Sequence, residues 1–341
     1  MNRLRSSSPP GPRRLSRSAA LFFFLVIALA AAPWARALER RDFAVKVLRR
    51  WAPSGWAVIE RYEYTPWSYS LPGHSINLGK MDFMRYVRAT TPPEMVAELP
   101  TAVHEICHSY ARKMAWEMMA TCHLPWRDSL ALPVAAGVDV LVPLTPAFPC
   151  AAMASRIPQG LRDGRYRVYV ISQSANQSTQ SLGVYGLLEE LCAYHRGTET
   201  GVELVGWARS SEGRLGDGLA RLLQGVEGTY GARGEMKLFI LAWLLEARAS
   251  HMADYRAFMS NHEAVRAFVA IDEGFGRTIQ RYSRLKAELA VAGVLSETDE
   301  ALVLAGGARV ISGGPLARRV ADELAKREYV EMERAVREAA R

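Results

Sequence analysis

Residues 101–110 read TAVHEICHSY, and within them His104, Glu105 and His108 stand in the order His-Glu-x-x-His. From Thr101 to about Met119 the apolar positions Val103, Cys107, Tyr110 and Met114 recur at intervals of three and four, which predicts a helix with one buried stripe. His104 and His108 lie beside that stripe, four apart, so both imidazoles project from one side about one turn from each other. Imidazoles so placed can each offer a nitrogen at the ~2.0–2.1 Å that zinc requires, while the glutamate after the first histidine points to the same cavity. Glu105 is then a base that takes a proton from a zinc-activated water, and not a ligand. The alternative is a plain helix with one histidine capping a carbonyl and the other half exposed.

Around this helix the 341 residues, 49% of them hydrophobic, can bury a full core. The N-terminus is set aside first. Its opening is purely basic, Ala19–Ala32 is an apolar run of 14 residues, and PWARA follows with Ala35 and Ala37 as an Ala-x-Ala site. That run suits a secretory h-region and falls short of the roughly 20 residues that a spanning helix needs. Residues 1–37 are therefore expected to be a signal peptide cleaved after Ala37, with export to the periplasm or outside the cell. An uncleaved membrane anchor, built on the uncharged residues 18–35, is the competitor. Six arginines and no acids lie in 1–37, so only +2 of the formal +8 belongs to the mature chain, and a nucleic-acid partner loses its support.

The segment 38–52 predicts a short helix with Phe43, Val47 and Leu48 on its apolar face. WAVIERYEYTPWSYS (56–70) alternates and is rich in aromatics, which predicts one or two strands broken by Pro66 and Pro72. Thr91 and Glu94 make a capping box with Pro92 at the first helical position, and Pro100 is expected to end or kink that turn. VDVLVPL (138–144) and YRVYVIS (166–172) read as two strands with a long connection between them. SANQSTQS (174–181) reads as a polar loop, and GVYGLLEELCAYHRG (183–197) opens a second helix. EMKLFILAWLLEARA (235–249) reads as a buried helix, the glycines around 213–218 as loop, GGARVISGG (306–314) as a short strand, and 317–339 as one amphipathic helix.

A catalytic zinc needs a third protein ligand and an open position. The metzincin continuation would place glycine at 111 and histidine at 114, where the chain has Ala111 and Met114. A zinc-deaminase pattern at Pro149-Cys150 fails at Met153. The paired histidines followed by a helix carrying Glu190 and, four residues on, Tyr194 resemble the gluzincin clan of zinc metallopeptidases, whose later helix supplies a glutamate ligand with an acidic residue four positions beyond it. The resemblance covers these two helices. It implies His104, His108 and Glu190 as ligands of Zn2+, Glu105 as base, and a peptide or protein substrate. Tyr194 departs from the usual aspartate; its phenol can bond a ligand histidine or merely pack.

Glu189 is the rival third ligand, because neighbouring helix positions differ by about 100° and only one should face the metal. Glu190 shares its face with Leu187, Leu191 and Tyr194 and is favoured; a surface salt bridge is expected of Glu189. With Glu190 aimed at the zinc, Cys192 points away from the histidine helix. A Cys122–Cys150 disulfide then becomes the better pairing, with Cys107 and Cys192 as buried thiols. His195, His251 and Tyr255 are available to stabilise an oxyanion, with no spacing rule to select among them. An exposed edge at 138–143 or 167–172 could pair with a peptide backbone.

The expected fold class is α+β: a zincin-like core in 38–200, with active-site helix and small sheet, followed by a mainly helical region 201–341 packed on it. The expected function is that of an exported zinc metallopeptidase. A non-catalytic metal-binding protein or a metal-free helical binding protein of the cell envelope is the alternative.

Overall fold

The computed structural model describes residues 38–341 except 72, 80, 175 and 211–216. The predicted signal peptide, its cleavage after Ala37, and Gly213 and Gly216 lie outside the described residues. Met1–Phe43 forms one unit, of which residues 38–43 are described and helical; Ala44–Arg341 forms a second. No described helix is long and apolar enough to cross a membrane.

The second unit is a mixed α+β fold in which helices predominate and the sheets are small and antiparallel. After helical residues 44–51, α1 spans Pro53–Tyr64. This replaces most of the strand expected over 56–70. Ser54, Gly55, Val58, Ile59 and Tyr62 are the buried positions, recurring at helical intervals of three and four, and Pro53 occupies the first turn, where its missing N–H costs nothing. Only Ser68–Leu71 (β1) is extended, paired with His74–Asn77 (β2).

Helix α2 runs unbroken from Pro92 to Thr121, with Pro100 inside it, so the proline neither ends the helix nor separates the capping region from the His-Glu-x-x-His segment. Thr91 bonds the Glu94 side chain at 2.8 Å rather than capping a backbone N–H. The predicted stripe is buried, from Val103 through Cys107 and Tyr110 to Met114. Tyr110 donates to Asp139 at 2.8 Å, and buried Lys113 donates to the Tyr62 carbonyl at 2.6 Å, pinning α2 to the following hairpin and to α1.

That hairpin joins Ser129–Ala135 (β3) to Val138–Pro143 (β4) through Ala136 and Gly137, whose φ of +71° suits glycine. β4 was anticipated; its partner β3 was not, because Pro133 interrupts the run and a proline demotes a strand in sequence. The second expected strand is also corrected. Tyr166–Val170 forms a single π-helical turn, and its buried residues Tyr166, Tyr169 and Val170 stand three and four apart rather than alternating.

Helix α3, Val184–Arg209, is buried almost all round and runs continuously across residues 200 and 201. Around it pack α2, α4 (Asp217–Tyr230), α5 (Ala232–Ser250) and α7 (His262–Val291), with the short α6 (Met252–Met259) between the last two. Helix α5 is apolar around its whole circumference from Met236 to Leu245, as expected of a core helix, apart from Lys237. A three-stranded sheet of Leu295–Glu297 (β5), Ala301–Leu304 (β6) and Arg309–Ile311 (β7) follows. The expected final helix is two, Gly314–Leu324 (α8) and Arg327–Ala339 (α9), separated at extended Lys326. The buried residues explain the break. Val320 and Tyr329 are nine apart, half a turn out of phase on one helix, so both can face the core only if the chain resets between them.

The cysteines are free: Cys122 is exposed at the end of α2 and Cys150 is buried in the core, so the expected Cys122–Cys150 disulfide is absent, while Cys107 and Cys192 are buried thiols as anticipated.

One packing contact sets the position of α2 on α3. A Cβ on Gly197 would stand 2.9 Å from the Pro100 carbonyl oxygen and 3.2 Å from His104 Cβ, and one on Gly201 would stand 2.9 Å from Val226. Small residues on that face of α3 are what let the two backbones meet. Gly197→Ala is therefore expected to destabilise the fold by about 1–3 kcal/mol in urea unfolding. A stability equal to wild type would show that the helices are free to separate.

Candidate metal centre

The histidines sit beside the apolar stripe, on the partly exposed flank of α2, and face the second and third turns of α3. His104 Nε2 and His108 Nε2 lie 3.4 Å apart. Glu190 Oε2 is 3.7 Å from the first and Glu190 Oε1 is 3.7 Å from the second. A tetrahedral ion with bonds of ~2.0–2.1 Å holds its ligand atoms about 3.3–3.4 Å from one another, so the three groups stand close to the separations such an ion needs. Glu190 Oε2 is moreover buried with no hydrogen-bond partner. A buried carboxylate oxygen left unpaired is costly, and a cation at this point relieves it. Among the described residues His104, His108 and Glu190 are the one group of three whose potential ligand atoms converge in this way.

Glu189 is not on the surface. It is 4% exposed, as is Glu190, and its Oε1 lies 3.3 Å from His108 Nδ1, the nitrogen turned away from the cluster. The two neighbouring glutamates thus divide the imidazole between them: Glu190 faces Nε2, and Glu189 fixes the ring and its tautomer from behind. His104 has a backbone partner in Ala193. Its ring is packed edge-on against Tyr194, with centroids 4.6 Å apart, and the Tyr194 hydroxyl bonds Tyr169 at 2.9 Å rather than a histidine.

Charge follows from this arrangement. Burial, aided by His108 and Arg165, holds His104 down at about 3, and hence neutral. Burial alone would lower His108 too, but its bond to Glu189 and the charges of Glu190, Glu189 and Glu105 carry it up to about 9. Burial pushes the Glu190 carboxyl up to about 7, with His108 opposing and Glu189 adding to the rise. One imidazolium therefore balances a cluster of carboxylates, the place a divalent cation would take.

Two cavities open beside the cluster. One, of about 510 Å³, is lined by His104, Glu105, His108 and both glutamates; the other, of about 270 Å³, by Pro100, His104, Glu105, Gly197 and Val226. Glu105 lines both, and so does Tyr169, which sequence reasoning missed because its segment reads as a strand. A tyrosine three residues from another in an apolar run was the sole available signal. Of the expected electrophiles, none lines either cavity: His195 packs on Phe275, His251 stacks on Phe148, and Tyr255 packs against the core. Neither do β3 and β4, and 167–172 is not a strand, so among the described residues no strand lines either cavity. A larger cavity of about 680 Å³, near Arg233 and Lys286, shares no lining residue with the cluster; the donor set, not the volume, marks the site.

No family model, no curated protein and no solved structure matches the chain.

The geometry predicts one zinc per chain in competition with a chromophoric chelator. Glu190→Ala is expected to weaken binding by more than about 100-fold, and Glu189→Ala by about 10–100-fold, as for a residue that orients a ligand. Wild-type affinity in both variants would contradict the assignment.

Proposed function

We propose that the chain is an exported zinc-dependent metallopeptidase of the gluzincin type, with His104, His108 and Glu190 holding the metal and Glu105 as general base. The observation that carries this reading is the convergence of those three ligand atoms at the edge of a cavity that Glu105 also lines. Packing of the β3–β4 hairpin on α2 supports a zincin-like core of active-site helix and small sheet. Export rests on the sequence of residues 1–37, with an uncleaved anchor as the alternative.

Zinc, when bound, supplies the Lewis acidity that brings the pKa of a water toward 7. Glu105 accepts that proton as the water attacks an amide carbonyl, then passes it to the leaving amine. Glu189 keeps His108 oriented throughout. Burial, with Glu190 and Tyr194, raises the Tyr169 hydroxyl above the ordinary range, so it stays protonated and is able to donate to the oxyanion that develops beside it. The substrate is positioned by the α2–α3 wall around Pro100 and Gly197 and by the segment carrying Tyr169, which line the two cavities.

Hydrolysis of a quenched fluorescent peptide library is the assay. Glu105→Gln should retain zinc and lose about 10²–10⁴-fold in rate. Tyr169→Phe should retain zinc and lose about 10²–10³-fold in kcat. Zinc-loaded wild type that cleaves no member of the library, or cleavage that Glu105→Gln leaves intact, would reject the reading.

A further inference from the structure

Helix α3 presents different faces to separate cavities. Gly197 and Thr198 border the smaller one beside His104, whereas His195 and Arg196 line another, of about 260 Å³, completed by Val134–Ala136 of the hairpin and by α7. This third space shares no lining residue with the two around His104. It is strongly basic. Arg277, Arg281 and Arg284 stand four and three apart on one face of α7 and join Arg196 in lining it, against a single acid, Glu199. Glu199 is taken up by Arg196 Nη1 at 2.6 Å, and Arg281 has Glu203 at 3.6 Å. Among the described residues Arg277 and Arg284 make no ion pair.

Two buried polar atoms of residues that line this cavity lack partners. Arg196 is 2% exposed, its Nε donates to the Pro133 carbonyl at 2.8 Å, and its Nη2 has no partner. His195 is equally buried, and its Nδ1 also lacks a partner. Nothing in the proposed peptidase chemistry uses either residue.

We propose that this cavity is a second site, which binds a small phosphate-type oxyanion. Guanidinium forks match the oxygens of such a group bidentately, and an excess of arginines over acids favours a dianion over a carboxylate. The volume lies just below the range for drug-sized ligands, which suits one phosphate group with a small substituent. A long polyanion would need a continuous basic surface; here the innermost cation lies in a recess.

The test is calorimetric titration of the full chain with inorganic phosphate at low ionic strength, where such contacts are least screened. Wild type is expected to show saturable one-site binding. The exposed pair Arg277→Gln/Arg284→Gln should weaken it at least tenfold, while Arg318→Gln, in a different cavity, should not alter it. No saturable heat from phosphate would overturn the proposal, as would equal affinity in the double variant, which would place the ion elsewhere, the His104 cluster included. Binding to vesicles containing phosphatidic acid without binding to inorganic phosphate would overturn it too, by assigning the arginines to a membrane surface.

Discussion

The close approach of α2 to α3 at Gly197 is the constraint on which the remaining geometry depends. With Pro100 and His104 in contact with that glycine, the histidine pair of one helix is held opposite the glutamate pair of the other, and the nitrogen-to-oxygen separations follow. A side chain at 197 would widen the gap at the turn that carries His104. Helix α3 also packs against α5 and α7, while Gly197 and Gly201 let α2 and α4 approach it closely.

This packing buries Glu189 and Glu190 together, an arrangement that opposes folding through both desolvation and mutual repulsion. The protein compensates in part. The charge on His108 lies between them, and Tyr169 and Tyr194 give the cluster a polar roof in which each hydroxyl has a partner. The compensation stops short at Glu190 Oε2, which lacks any hydrogen-bond partner. A ligand that binds only the folded chain shifts stability toward it by mass action, so an ion seated among these groups would hold the fold as well as serve the chemistry.

What could be read from the sequence was what helical periodicity carries. The spacing of Val103, Cys107, Tyr110 and Met114 located α2, its buried stripe and the histidine face, and the apolar run after Gly183 located α3 with Glu190 in place. Errors arose where short segments rich in aromatic and branched residues could be either strand or helical turn. Trp56–Tyr64 and Tyr166–Val170 are both rich in strand-forming residues but bury residues three and four apart, and tertiary packing decided between the two periods. The strand β3 was hidden by Pro133, which is tolerated beside a register shift in the hairpin. The role of Glu189 was illegible for a different reason. Two carboxylates 100° apart can serve the same imidazole when one faces each nitrogen, and only the orientation of the His108 ring makes that visible.

The central claim is that a single metal ion is held between two helices by His104, His108 and Glu190. Anomalous diffraction from zinc-loaded crystals, recorded on either side of the zinc absorption edge, tests it most directly. One strong peak is predicted within about 2.0–2.2 Å of both Nε2 atoms and a Glu190 oxygen. A zinc-loaded crystal with no anomalous density between those side chains, or with its zinc at other residues, would contradict the account.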